Sequence, residues 1–419
     1  MINKKDIVVG IYTTFYSLDS AYSLCSVAKD QLSMLVKHGY KAVLFVLPSF
    51  KDEKLVPDGV EIRKIVPQLL LEPYKGLDYP DHWREDVKKV KKALEENASD
   101  ITHMICHDIF FIDTFIPYNI ALREADLTCQ MFAWTHSAPS TRPKLEDNPH
   151  ANRFTLPPRT KLVYLNHEQA NDLAEMYGAW LKDVRVVHNS RDPRTFWNLD
   201  PFVVKLINKY DLLNKDIISI YPLSTPRMIS GKGLDKAIKI HSKLKELGYK
   251  VCLIIANSHA NADKEKRLIS QTSLWAGDRG ITNTDLIFTS LEEEPTYEAG
   301  VSPQIISDLF RISNVFIFPT ISENCSLVLL EAMMSGNLIV LNKQVRSLSE
   351  FGGINSLYFD FSYRTPDEEN ERYYLDLAKV LASQFENSKV LQNKRRMFNN
   401  FNYDSIFLKQ IEPLLYEDN

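Results

Sequence analysis

The feature that most constrains this chain is an alternation of short apolar stretches with longer helix-like ones, run through twice. In the first half the short stretches are "IVVGIYT" from Ile7, "KAVLFVLP" from Lys41, "ITHMIC" from Ile101, "TCQMFAWT" from Thr128, "KLVYL" from Lys161 and "VRVV" from Val184. They are rich in β-branched and aromatic residues and too short for ordinary helices, so they read as strands. Helical segments such as 21–37 and 81–97 separate them. Strands that are apolar on both faces and separated by helices belong to a parallel sheet, because the crossover helices cover both of its sides.

The pattern restarts with "IISIYPL" from Ile217, "KVCLIIAN" from Lys250, "DLIF" from Asp285, "NVFIFP" from Asn314 and "NLIVL" from Asn337. Between the halves, "HNSRDPRTFWNLDPF" mixes prolines and polar residues, as a linker does. A chain of 419 residues also exceeds one ordinary core. The expectation is an α/β protein of two doubly wound, Rossmann-like domains, 1–197 and 198–398, with a ligand cleft between them. The tail "NYDSIFLKQIEPLLY" reads as one amphipathic helix, so 399–419 forms a closing helix on the first domain.

The totals exclude several function classes. A formal net charge of −4 is not that of a nonspecific nucleic-acid binder. The five cysteines show no CxxC spacing, which fits a reducing compartment and argues against a zinc site. The start, "MINKKDIVVGIYTTFYS", reads as a first strand rather than a signal peptide. No apolar run approaches the ~20 residues of a membrane span, so the expected location is cytoplasmic.

The chemistry concentrates in "SENCSLVLLEAMMSG", 322–336. Pro319 ends the preceding strand, Ser326 starts a helix and Gly336 stops it. This β–loop–α–β unit aims a helix N-terminus out at the carboxyl ends of the strands, where free N–H groups and the helix dipole favour a phosphate. Glu323 lies in the loop before that site, and Glu331 lies in a helix whose other residues are apolar. Carboxylates beside a phosphate make sense where they accept hydrogen bonds from sugar or ribose hydroxyls. The positive counterpart is "STPRMISGKGLDKAI", which puts Arg227 and Lys232 in the loop after "IISIYPL". An arginine fork with a lysine point charge suits a diphosphate; a solvated basic loop is the plainer alternative.

Together these segments resemble the retaining, nucleotide-sugar-dependent glycosyltransferases of the GT-B fold, the glycogen-synthase-like and mannosyltransferase-like group. The family's Glu-x7-Glu signature matches Glu323 and Glu331, and its Arg-x4-Lys-Gly pattern matches Arg227, Lys232 and Gly233. The family's interdomain spacing is met by Asn189, Asp192 and Phe196. The resemblance implies that Glu331 holds the donor ribose and Glu323 the transferred sugar. It implies that Arg227, Lys232 and the backbone around Asn324, Cys325, Ser326 and Leu327 take the diphosphate. A first-domain histidine near the donor sugar matches His136 in "MFAWTHSAP", with His107 in "ICHDIFF" and a merely structural histidine as the alternatives. No Asp-x-Asp occurs, so no metal and no further cofactor are expected, with UDP the favoured nucleotide.

Departures from the family fall on the acceptor side. The loop after the first strand, "TTFYSLDSAYS", lacks the usual glycine pair, and "ENCS" replaces Glu-Gly-Phe-Gly. "NKQVRSLSEFGG" keeps Glu350 without the glycines before it. The proline-rich stretch 137–161 carries Arg142, Lys144, Arg153, Arg159 and Lys161, which could meet a phosphate-bearing acceptor or remain a solvated connection. The acceptor is therefore a hydroxyl on a glycan, glycolipid or small molecule, with a hydroxymethylated DNA base not excluded. An epimerase or phosphorylase of the same fold, or a non-catalytic sugar-nucleotide sensor, are the competing readings.

Overall fold

The computed structural model describes residues 3–19, 21–75, 79–138, 155–223, 231–257, 263–292, 300–361 and 367–417. The chain divides into two compact units, 1–192 with 401–419, and 193–400. The changeover thus falls a few residues before the expected boundary, at the Asp192–Pro193 bond.

The first unit is built on strands β1 (Val8–Tyr12), β2 (Lys41–Phe45), β3 (Val60–Arg63), β4 (His103–His107), β5 (Gln130–Trp134), β6 (Thr160–Tyr164) and β7 (Val184–Val186). They form one parallel sheet in the order β3-β2-β1-β4-β5-β6-β7. The central strands β4 and β5 are buried at every residue, as their two-faced apolar sequences require. The chain runs outward from β1 to β3, then returns to the other side of β1 at β4. Crossovers on the two sides of that reversal leave for opposite faces of the sheet, which opens a crevice at the carboxyl ends of β1 and β4.

Two expectations for this unit are corrected. Strand β3 was absent from the sequence reading: it is an edge strand, half-exposed, with Glu61 and Arg63 in it, so it lacks the two-faced apolar signal. The tail is not one uniform helix. It runs as α-helix Tyr403–Ile406, a π-helical turn Phe407–Ile411, and a short α-helix Glu412–Leu414. Pro413 has no N–H to offer a carbonyl one turn back and its ring crowds that position, which a widened turn relieves. The tail belongs to the first unit: the Phe407 ring stacks on His38 at 4.3 Å, and the Tyr40 hydroxyl donates to Glu412 at 2.6 Å.

The second unit repeats the topology. Strands β8 (Ile217–Leu223), β9 (Val251–Asn257) and β10 (Leu286–Phe288) form one parallel sheet; β11 (Val315–Phe318), β12 (Leu338–Asn342) and β13 (Leu357–Phe359) form another. Asn314 joins them. Its N–H donates to the Ile218 carbonyl at 3.0 Å, its side-chain oxygen accepts from the Ile218 N–H, and its amide donates to Asp216. Across that junction the order is β10-β9-β8-β11-β12-β13, the same outward-and-return path as in the first unit, with the reversal between β8 and β11. Each unit is therefore a doubly wound, Rossmann-like α/β layer structure. Strand β13, half-buried along its length at the sheet edge, was also missed from sequence. Among the described residues no helix is long and apolar enough to cross a membrane.

Candidate functional site

In the second unit the loops after β8 and β11 meet at the topological reversal. The Ile321 N–H donates to the Gly231 carbonyl at 3.1 Å, and the Thr320 hydroxyl reaches the same oxygen at 3.3 Å. The Tyr221 hydroxyl donates to the Lys232 carbonyl, while the Asn342 amide holds the Thr320 carbonyl at 3.0 Å. Gly233 completes the junction. Its φ of +75° is one that side chains resist, and a Cβ there would lie 2.7 Å from the Pro319 carbonyl oxygen. The glycine of the motif is thus required by how closely the two loops approach.

This stitching brings Lys232 to Glu323. Lys232 Nζ donates to Glu323 Oε2 at 2.9 Å, with the lysine side chain 40% and the glutamate 18% exposed. The other carboxylate oxygen, Oε1, accepts the Asn324 N–H at 3.1 Å, and the Ser347 hydroxyl holds the Glu323 carbonyl at 2.6 Å. Ser326 is the buried N-cap of helix Leu327–Met334, its hydroxyl accepting from the Leu329 N–H at 3.2 Å. That leaves the N–H groups of residues 327 and 328 without intrahelical partners, at the positive end of the helix dipole. A cation, a carboxylate and a helix start therefore lie on one edge of the second unit. Arg227 lies outside the described residues.

Although apolar in sequence, this helix is largely uncovered: Leu327 is 69% and Met334 81% exposed, and only Leu329 and Ala332 are buried. Glu331 is half-buried on this helix, and among the described residues its carboxylate makes no hydrogen bond or ion pair. Burial raises its pKa, the mark of a carboxylate with nothing stabilising its charge. Asn324 and Cys325 are exposed in the loop before the helix.

The first unit holds the histidines. His136 follows β5, and its Nε2 lies 2.8 Å from His107 Nδ1; His107 Nε2 in turn lies 2.9 Å from the Gln31 side-chain oxygen. Since that oxygen can only accept, His107 carries its proton on Nε2 and receives one from His136 Nε2–H. His136 Nδ1 is then a lone-pair acceptor. Burial lowers the His136 pKa to about 4 and that of His107 well below the usual value, so both rings are neutral near pH 7. Asp108, left-handed at φ 54°, fastens the β4 and β5 ends together by accepting the His136 N–H at 2.8 Å. Neither Gln31 nor Asp108 was marked by sequence. Asp108 stood beside a candidate histidine in "ICHDIFF", whereas a glutamine in a helix carries no signal.

Where β1 and β4 end, the first unit has a cavity of about 370 Å³, walled by the loop from Thr13 to Ser17 with Tyr22, His107, Ile109 and Phe115. The glycine-free loop after β1 therefore lies on a cavity wall. The basic stretch 137–161 largely falls outside the described residues, including Arg142, Lys144 and Arg153. Of its described members, Lys161 pairs with Glu417 at 3.2 Å and Arg159 donates to the Thr128 carbonyl at 3.1 Å. Among the described residues no cluster of three His, Cys, Asp or Glu could hold a metal ion.

No family model matches this chain, and no curated protein does. Solved structures similar to it along its whole length include a glycosyltransferase from Rickettsia africae, at 11% identity and TM-score 0.39 over 100% of each chain. A UDP-forming α,α-trehalose-phosphate synthase from Burkholderia xenovorans aligns at 14% and 0.38, over 98% of this chain and 100% of the other. The Anabaena protein HepE with UDP-glucose aligns at 13% and 0.34, over 97% and 99%. At TM-scores below 0.5 these likenesses carry no argument about function, which rests on the residues of this chain.

Proposed function

We propose that this protein is a retaining glycosyltransferase that moves a sugar from a nucleotide diphosphate donor, a UDP-sugar in the first instance, to a hydroxyl acceptor. The observation that supports it is the meeting of Lys232, Glu323 and the Ser326 helix start at the reversal of the second unit, with Glu331 on the same helix making no hydrogen bond or ion pair among the described residues. In this reading Glu331 accepts the ribose hydroxyls and Glu323 the hydroxyls of the transferred sugar. Lys232, Arg227 and the N–H groups of residues 327 and 328 hold the diphosphate.

The chemistry follows from where charge develops. The bond between the anomeric carbon and the diphosphate oxygen breaks, the acceptor oxygen bonds to that carbon from the same face, and the acceptor proton passes to the leaving diphosphate. The products are a glycoside and a nucleoside diphosphate, with no oxidant or reductant needed. Lys232 and the helix start are held in place before the reaction, so they stabilise the leaving charge without reorganising. Lys232, already paired with Glu323, need only share its ammonium with the diphosphate. His136, a neutral acceptor at Nδ1 in the first unit, is assigned to the transferred sugar by the family resemblance alone. These cationic groups take the role a bridging metal fills elsewhere, so the proposal includes metal independence.

The test is a thermal-shift titration of the wild type, Lys232→Ala and Glu331→Gln with UDP, GDP, ADP and their sugar conjugates, with and without EDTA. A ligand at 100 times its Kd adds about 2.7 kcal/mol of stability. One nucleotide series should stabilise the wild type, the variants should lose the effect, and EDTA should change nothing. No shift with any nucleotide, or equal shifts in the variants, refutes the donor assignment. Product anomers by NMR then decide retention.

A further inference from the structure

We propose that the cavity at the β1–β4 reversal binds the acceptor, and that this acceptor is a neutral hydroxylated ring, an uncharged glycoside, rather than a phosphorylated compound. The inference rests on the glycosyltransferase reading above and adds the substrate class. The cavity's 370 Å³ lies within the ~300–1,000 Å³ usual for small-molecule sites. Its walls bring together Phe15, Tyr22 and Phe115, the first two packed edge-to-face at 6.2 Å. Aromatic faces take the C–H face of a sugar ring, and the cavity's Thr14 and Ser17 hydroxyls can both donate and accept.

The field around the cavity opposes an anion. Exposed Asp19 lines it, and Asp52 accepts the Leu18 N–H of the same loop at 2.7 Å. Burial pushes up the thiol of Cys25 in the wall, a hydrogen bond from the Asp19 backbone opposes that, and the charges of Asp19 and Asp52 add smaller upward pushes. Asp108 acts in the same way on the Tyr22 hydroxyl, again second to burial. His107, the ring at the floor, is neutral and donates to Gln31, so it brings no compensating charge. A phosphate placed here would lie against the Asp19 carboxylate and in the field of the other two, whereas a ligand hydroxyl would find an acceptor in Asp19.

The test uses the full chain in two arms. Saturation-transfer NMR measures binding of neutral aryl and alkyl hexosides, hexose phosphates and inorganic phosphate to the protein without donor. Transfer from the donor identified by thermal shift is then followed by mass spectrometry, with the same compounds, a polyprenyl phosphate and hydroxymethylcytosine DNA as acceptors. Neutral glycosides should bind and accept sugar, and Phe115→Ala should raise their Kd or KM roughly 3- to 10-fold with kcat little changed. Asp19→Asn keeps the turn in which Asp19 accepts the Ala21 N–H at 2.8 Å, and should improve binding of hexose phosphates relative to the neutral glycosides. Preference for a phosphorylated acceptor or for DNA overturns the inference. So does silence from every neutral glycoside at millimolar concentration, or indifference to Phe115→Ala. If nucleotides still shift the melting temperature, only the acceptor class falls; if they do not, the donor reading falls, and the binding arm still decides the cavity.

Discussion

Lys232 and Glu323, 91 residues apart in sequence, are joined by an ion pair of 2.9 Å. Both are partly exposed, and a pair in that setting contributes only ~0–1 kcal/mol to stability. Their functional weight is larger, because a preorganised group facing a developing charge is typically worth about 10²–10³ in rate. Lys232→Ala should therefore lower kcat by roughly that factor while the urea midpoint barely moves. Glu323→Gln, which leaves a carbonyl oxygen for sugar hydroxyls, should cost less. Steady-state kinetics beside denaturant unfolding separates the effects. A large loss of stability with little loss of rate would make the pair structural.

Gly233 offers a test of the loop junction itself. Alanine there suffers twice, from φ +75° and from a Cβ set 2.7 Å from the Pro319 carbonyl oxygen. Gly178, at φ +60° in the first unit, has open space around it and suffers only from the backbone angle. Gly233→Ala should destabilise by ~1–3 kcal/mol and weaken nucleotide binding, because Lys232 rides on the displaced segment. Gly178→Ala should cost about 1–2 kcal/mol and leave nucleotide binding intact. Equal nucleotide affinities for both variants, measured by calorimetry, would detach the glycine from the site.

The buried histidines set a pH dependence whose sign is fixed. Burial lowers the pKa of His103, His136 and His241 to about 4 each, below the unfolded value near 6.5. Above pH 6.5 they are neutral folded or unfolded and the shift changes nothing. As pH falls toward 4 the unfolded chain takes up protons that the folded chain refuses, so stability is lost at up to about 1.4 kcal/mol per pH unit for each histidine. Asp108 and Glu331, raised by burial, act in the opposite sense and reduce the net slope. His241 bonds the Ala237 carbonyl and the Ser219 hydroxyl inside the second unit. His241→Gln should flatten the slope between pH 6.5 and 4, seen by urea unfolding at stepped pH. An unchanged slope would assign the acid sensitivity elsewhere.

What could be read from sequence, and what could not, follows from the range of each interaction. Strands such as β4 and β5 are apolar on both faces, so their composition alone marks them. Edge strand β3 meets solvent on one side and its Glu61 and Arg63 dilute the signal, while β13, Leu357–Phe359, is only three residues long. Spacing picked out Lys232 and Glu323 separately, but their pairing depends on the return of the chain from β10 to β11. The Gln31–His107–His136 relay joins a helix to two strand ends, and nothing local distinguishes that glutamine from any other. The exposure of the apolar helix Leu327–Met334 was not legible either, since hydrophobicity says nothing about which face finds a covering partner.

Cys325 allows the donor loop to be located without any turnover. It is exposed, while Cys25, Cys106, Cys129 and Cys252 are buried. Burial also pushes their thiols up, Cys129 to about 11 and Cys252 to about 12, so little reactive thiolate forms on them near neutral pH. A maleimide at neutral pH should thus add once, at Cys325, and Cys325→Ala should abolish the adduct. The thiol lies between Asn324 and the Ser326 helix cap, so a nucleotide held at the helix start should shield it. At 100 times its Kd the ligand leaves about 1% of sites free, and alkylation should slow by up to about 100-fold. Intact-mass kinetics reads this directly. If a nucleotide raises the melting temperature yet leaves the alkylation rate unchanged, it binds away from this loop, and Glu323, Ser326 and Glu331 lose their assigned roles together.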